Sequence, residues 1–150
     1  MSKLVCLFHT ETNGLHDSNV KLLKKYLYKF ARMVVLSYNI GYYENKKFII
    51  TKSVSTIIKP RSMFINNSEF HSITHEIAEK DGQDIESVLL EFIQDINKVE
   101  ILISHNAPFH INTIISECIR YNIQINISNH IIIDTMTFNN DNTFKKLSNL

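Results

Sequence analysis

The sequence has few cysteines, glycines and prolines, and it has no tryptophan. Its 150 residues include two Cys, three Gly and two Pro. So little Gly and Pro argues against long disordered linkers and low-complexity segments. Cys6 and Cys118 both lie in apolar surroundings, which predicts two buried free thiols rather than a disulfide framework. With 44% apolar and 21% charged residues, we expect one globular domain over residues 1–150.

The sequence also lacks a long apolar run and an excess of either charge. No apolar stretch approaches about 18 residues, and no signal-peptide pattern follows Met1, so we expect neither export nor a membrane span. This indicates a cytoplasmic or nuclear location. The net charge is +1, so any argument for nucleic-acid binding has to rest on local clusters. Abundant Ile and Asn suggest an A+T-rich coding genome, such as that of a large DNA virus, in which case the protein would lie in the host cytoplasm.

Hydrophobic periodicity predicts strands that alternate with helices, which is typical of an α/β layered domain. Strands are predicted at residues 4–8, 33–43, 48–58, 100–104 and 131–133. Helices are predicted at residues 84–96, with Asp84 as the N-cap, and at 108–121 and 144–150.

A further amphipathic helix is predicted over residues 20–30. One of its faces is apolar, and the other carries cations that no acidic residue interrupts: Lys21, Lys24, Lys25, Lys29 and, just beyond, Arg32. Two interpretations stay open. The basic face is either an ordinary solvated surface or a contact for nucleic-acid phosphates, with Lys21, Lys25 and Lys29 as the binding residues.

Several separated stretches resemble a known enzyme family. Residues 8–15 read FHTETNGL, 70–82 read FHSITHEIAEKDG, 103–123 read ISHNAPFHINTIISECIRYNI, and 131–138 with 144–150 read IIIDTMTF and FKKLSNL. In this order and spacing they resemble the motifs of the DEDD superfamily of 3′–5′ exonucleases, in particular the proofreading-type (DEDDh-like) branch. The resemblance implies an RNase H-like fold, an α/β mixed sheet flanked by helices, with its C-terminal part expected to be missing.

The resemblance also implies a site. Family members use four carboxylates to hold two Mg²⁺ or Mn²⁺ ions that activate water and stabilise the leaving oxygen. Glu11 matches the Glu of the first motif, whereas His9 and His110 stand where the first and second motifs have Asp. The third motif, a His followed by an Asp, would fall beyond residue 150. Thr12, Asn106 and Phe109 match residues around the terminal nucleotide; for Phe109, a core aromatic is the alternative.

Replacing two carboxylates by imidazoles has a predictable chemical cost. Mg²⁺ prefers oxygen ligands in octahedral geometry, and a neutral imidazole offers one softer nitrogen and no charge. We therefore expect a catalytically degenerate domain that binds single-stranded DNA or RNA, or a protein partner that covers the missing C-terminal helix. The alternatives are an active exonuclease whose missing ligands come from elsewhere, and a truncated remnant without independent function.

The same substitutions leave two interpretations of the metal chemistry. His9, Glu11 and His110 could converge on Zn²⁺, Fe²⁺ or Mn²⁺, or the histidines could have drifted after catalysis was lost, with no cofactor. Among the other candidates, His105 is expected to shape the loop before the second-motif helix, and Asp134 to cap a helix.

Overall fold

Five strands form one mixed sheet in the computed structural model, which describes residues 3–137. The strands are β1 (Leu4–Thr12), β2 (Met33–Glu44), β3 (Lys47–Ile57), β4 (Ile101–Ser104) and β5 (Ile131–Asp134). Their order in the sheet is β3-β2-β1-β4-β5. The first three strands pair antiparallel, whereas β4 pairs parallel with β1 and with β5. The predicted α/β class with a mixed sheet is therefore confirmed.

Helices flank the sheet. They are α1 (Ser68–His71), α2 (His75–Asp81), α3 (Ile85–Ile96) and α4 (Ala107–Arg120), together with short 3₁₀ helices at Lys24–Lys29 and Thr135–Thr137. The main core joins α3 and α4 to one sheet face; among its buried side chains are Phe8, Leu36, Leu89, Phe92 and Ile114. α3 begins as predicted, because the Asp84 side chain accepts a hydrogen bond from the Ser87 backbone N–H.

The first strand is longer than the predicted strand over residues 4–8. Beyond the apolar run, β1 continues through the polar residues His9 to Thr12 because its backbone stays paired with β2 as far as Met33. A register shift lies between Glu11 and Thr12, just before the last pair, Thr12 with Met33. The FHTETNGL motif therefore lies mostly on a rigid strand and not in a turn, which fixes the directions of its side chains.

The predicted helix over residues 20–30 is wrong. Only the six-residue 3₁₀ helix Lys24–Lys29 forms, and Leu23, which precedes it, makes no side-chain cap hydrogen bond. The carbonyls of Leu27 and Phe30 accept hydrogen bonds from Arg120. These bonds tie the segment to the end of α4.

Both cysteines are buried and free, as predicted. Burial raises the pKa of each thiol to about 12. Among residues 3–137, no helix is long and apolar enough to cross a membrane. The helix predicted at residues 144–150 lies outside the described residues.

Candidate functional site

A cleft of about 540 Å³ lies where β1 ends and α4 begins. Its wall includes the six residues that the sequence motifs predict for the site: His9, Glu11, Thr12, Asn106, Phe109 and His110. The first three come from β1 and the last three from the start of α4 or the residue before it. The sheet topology therefore joins two motifs that are almost 100 residues apart in the sequence.

His9 and Glu11 form a pair on the outer rim of this cleft. They are two residues apart on β1 and so project from the same sheet face. The His9 Nε2 atom lies 2.9 Å from the Glu11 Oε1 atom, and both side chains are partly exposed. The Glu11 carboxylate is thus engaged with the imidazole of His9.

His110 is held inside the protein beside that pair. Its ring lies 4.4 Å from the ring of His9, centroid to centroid, and its side chain is almost fully buried. The Thr10 backbone N–H donates to Nδ1 at 3.1 Å, and Nε2 donates to the His105 carbonyl at 3.1 Å. Both ring nitrogens therefore have protein partners, which selects the neutral tautomer with the proton on Nε2.

The environment keeps this imidazole neutral. Burial, and secondarily the nearby His9, lowers the pKa of His110 from 6.5 to about 4. Its bond to Thr10 also has a structural role, because the pairing of β1 with β4 ends at Leu7. Beyond that point, side chains form the hydrogen bonds to the backbone of β1. Ser104 Oγ donates to the Phe8 carbonyl, as His110 accepts from the Thr10 N–H.

His9, Glu11 and His110 do converge, but they do not fit a metal. His110 cannot coordinate an ion without giving up a buried hydrogen bond, and a metal ligand has to be a free lone pair. Within residues 3–137 there is no group of three His, Cys, Asp or Glu side chains arranged to hold a metal ion. The predicted zinc site at these three residues is therefore not supported. The same residues do not fit a pair of Mg²⁺ or Mn²⁺ ions, because Glu11 is the one carboxylate that lines the cleft within the described part of the chain.

The residues expected around a terminal nucleotide line the cleft in different ways. Asn106 adopts a left-handed conformation (φ 70°) directly before α4, and its side chain makes no cap hydrogen bond to that helix. Phe109 is half-buried, with one side stacked on His16 at 4.4 Å. The Thr12 hydroxyl donates to the Gly14 carbonyl at 2.7 Å and so shapes the loop itself.

Four further residues line or support the cleft: Asn67 and His16 carried no signal in the sequence, whereas Phe70 and His71 belong to the stretch FHSITHEIAEKDG. Phe70 lies on the short helix α1, lines the cleft and is 78% exposed. Asn67 also lines it and donates to the Thr12 carbonyl at 2.9 Å. His71 is a third lining residue. His16 lies behind Phe109 and accepts from the Ala31 N–H at 3.0 Å, so it fixes the ring against which Phe109 stacks.

Asp134 and His105 stabilise the base of the cleft. Asp134 Oδ1 accepts from the backbone N–H of Met136, which agrees with the predicted capping role, although the helix is a single 3₁₀ turn. The same oxygen also accepts from the Asn106 N–H at 2.9 Å. His105 Nδ1 lies 2.9 Å from the Thr135 hydroxyl. β5 is in this way tied to the loop that enters α4.

Comparison with solved structures places the fold among exonucleases. The chain is similar to a product-bound exonuclease I (13% identity, TM-score 0.67, 91% of this chain and 30% of that one). It is also similar to Escherichia coli exonuclease I in complex with a dT13 oligonucleotide (12%, 0.66, 89% and 28%). A third match is a moderately thermophilic exonuclease I from Methylocaldum szegediense (14%, 0.64, 88% and 27%). The chain thus spans less than a third of the length of these proteins, and at this identity the likeness shows the fold alone.

Other matching structures contain further molecules. One is a complex of exonuclease I with the C-terminal segment of SSB, and another is a zinc-bound form of the E. coli exonuclease I complex with single-stranded DNA. No family model matches this chain. No curated protein sequence matches it either.

Proposed function

We propose that this chain is an exonuclease-like domain that holds the end of a single nucleic-acid strand without hydrolysing it. The proposal rests on two features of the same cleft, its open cavity and the fully engaged imidazole of His110. A cavity of about 540 Å³ persists at the junction of β1 and α4, while His110, in place of a carboxylate, has both nitrogens engaged by backbone groups.

The loss of catalysis follows from charge. Two-metal hydrolysis requires several carboxylates to neutralise two dications and to position water between them. Glu11 supplies one negative charge, and it is paired with His9 at 2.9 Å. Such a cleft does not concentrate divalent cations, so the water that would attack a phosphodiester is not activated.

The retention of binding follows from the cleft wall, which is more apolar than charged. Phe109 and Phe70 offer aromatic faces to a base, since one side of Phe109 rests on His16 and the Phe70 ring is largely exposed. The Asn106 amide and the imidazole of His9 supply polar groups at the same wall. Stacking of this kind is tolerant of sequence, and it operates on DNA and RNA alike.

The proposal is tested by a time course on a 5′-labelled single-stranded oligonucleotide with Mg²⁺, with Mn²⁺ or with EDTA. We expect the oligonucleotide to stay intact at high protein excess and to bind equally well in all three conditions. A metal-dependent ladder that shortens from the 3′ end would refute the loss of catalysis.

A variant locates the binding in the cleft. Phe109→Leu keeps an apolar side chain against His16 but removes the stacking face, and we expect it to weaken binding by about one order of magnitude. Tyr43→Ala is the matched control, because Tyr43 is 63% exposed and lies near the end of β2, outside the cleft. Equal affinity of the two variants would show that the strand binds elsewhere.

A further inference from the structure

A second cavity of about 520 Å³ adjoins the cleft. Gly14 and Leu15 line both cavities, so the loop that follows β1 is the wall between them. The rest of the second cavity is built mainly by the segment that contains the 3₁₀ helix Lys24–Lys29, by the residues after β3, and by the end of α4. We call it the basic pocket.

The charged side chains of the basic pocket are all cations. Lys29, Arg32 and Arg120 line it, and among residues 3–137 no acidic residue does. Their acidic partners stand outside the lining. Lys29 Nζ donates to Asp17 at 2.9 Å, and both arginines share the fully buried Glu117, at 2.8 Å from Arg32 and 3.2 Å from Arg120.

This arrangement holds cationic groups in place and leaves a positive balance. Three cations face two carboxylates, and from residue 18 to residue 43 the chain contains no acid at all. The Arg32 Nη1 atom donates a long hydrogen bond to the Ser62 hydroxyl at 3.3 Å. A phosphate that enters the pocket would meet this side of the guanidinium and the Lys29 ammonium, and no carboxylate on the wall would repel it.

Two exposed aromatic rings stand at the same pocket. Tyr28 is 77% exposed and Phe64 is 67% exposed, and both line it. The Lys29 ammonium lies 6.0 Å from the centroid of the Tyr28 ring. A stacking face beside a cation is the combination that single-stranded nucleic acids require, because each nucleotide offers a base face and a phosphate.

We propose that the basic pocket binds a single strand whose terminal nucleotide is held in the cleft. It would contact the nucleotides next to the terminal one. This inference rests on the proposed function, and it names the path by which the strand leaves the cleft: over Gly14 and Leu15 toward Tyr28 and Lys29. It also reassigns the basic segment. Lys29 contacts the strand, whereas Arg32 and Arg120 mainly hold the pocket together, and Lys21 and Lys25 lie outside its lining and add only long-range attraction.

The test compares an oligothymidylate of three nucleotides with one of eight by fluorescence anisotropy in EDTA. We expect the octanucleotide to bind at least about ten times more tightly, because it alone reaches the basic pocket. Tyr28→Ala should weaken the octanucleotide by about one order of magnitude and leave the trinucleotide unchanged. Tyr43→Ala, which removes another exposed ring, away from both cavities, should affect neither.

The contribution of Lys29 to phosphate binding is tested by measuring how the affinity depends on salt concentration. Lys29→Gln should reduce the slope of log K against log salt for the octanucleotide by about 0.7, whereas Lys46→Gln, in the turn between β2 and β3, should leave it unchanged. Equal affinity of the two oligonucleotides, with no effect of Tyr28→Ala, would overturn the pocket assignment. The proposed function would then stand if Phe109→Leu still weakened both. Absence of binding to either oligonucleotide would overturn both proposals.

Discussion

At the scale of single residues, His110 places a buried, neutral imidazole in the inner wall of the cleft. It occupies the place at which the resembled motif carries a carboxylate. Its Nδ1 atom accepts from the Thr10 N–H on the edge of β1, and its Nε2 atom donates to the His105 carbonyl in the loop before α4. An Asp in this place would bring a negative charge into the space between β1 and α4. An Asp here would need a counterion, whereas the neutral imidazole of His110 needs only the hydrogen bonds that Thr10 and His105 provide.

Reversing both substitutions should create a metal site. In the His9→Asp and His110→Asp double variant, three carboxylates would converge, since the rings of the two histidines lie 4.4 Å apart and Glu11 lies beside His9. We expect Mn²⁺ at about 100 times its Kd to stabilise this variant by about 2.7 kcal/mol, a rise in Tm of about 5–10 °C. Differential scanning fluorimetry with Mn²⁺ and with EDTA measures the difference.

The matched control carries His9→Asn and His110→Asn, which has the same shape without the added charges. It and the wild type should show no rise in Tm with Mn²⁺. Stabilisation of the wild type by Mn²⁺ or Zn²⁺ would instead restore the hypothesis of a metal site at His9, Glu11 and His110.

At the scale of elements, Glu117 anchors the segment that precedes β2. Its Oε1 atom accepts hydrogen bonds from Arg32 Nε at 2.8 Å and from the Met33 backbone N–H at 2.9 Å. Arg120, one turn further along α4, bonds the carbonyls of Leu27 and Phe30. The buried carboxylate thus joins α4 to the start of β2 and, through Arg120, to the 3₁₀ helix.

Removing that carboxylate should be costly. Glu117→Ala would leave two half-buried guanidinium groups without their shared partner, and we expect the free energy of unfolding to fall by about 3–5 kcal/mol. Glu91→Ala is the control, because Glu91 pairs with Lys52 at 2.8 Å on an exposed surface; its loss should cost at most about 1 kcal/mol. Urea denaturation of the two variants gives the comparison, and similar losses would show that the buried cluster has no special role.

The elements that could be predicted from sequence are those whose pattern is local. The apolar face of α3 and its Asp84 cap follow from spacing within 13 residues, and both are present. The prediction of a continuous helix over residues 20–30 is wrong, and this segment depends on distant partners such as Arg120, whose bond to Leu27 spans 93 residues. No helical periodicity contains that information.

At the scale of the whole molecule, the sequence motifs predicted the cleft but not the basic pocket. The motif residues meet because parallel pairing of β1 with β4 brings the start of α4 beside the end of β1. The basic pocket is assembled from four separate parts of the chain, and its rings, Tyr28 and Phe64, belong to no motif. Its recognition requires the tertiary structure.

The free energy of unfolding should depend on pH because His110 is neutral in the folded protein. Its pKa is about 4 in the folded protein and 6.5 when unperturbed, so between these values the unfolded chain binds more protons. Stability is then fully present above pH 6.5 and declines as the pH falls towards 4. Burial lowers the pKa of His16 as well, which acts in the same direction.

Between pH 7 and pH 5 we expect a loss of about 2 kcal/mol from His110 alone. The aspartates whose pKa values are lowered by their partners, among them Asp84 and Asp95, lose their contribution only at lower pH, so they do not obscure this window. His110→Gln retains an acceptor for Thr10 and a donor for His105 but cannot titrate, and its stability should depend much less on pH. If urea denaturation gave the same pH dependence for both proteins, the buried imidazole would not be the titrating group, and the hydrogen bonds that exclude a metal from it would have to be reconsidered.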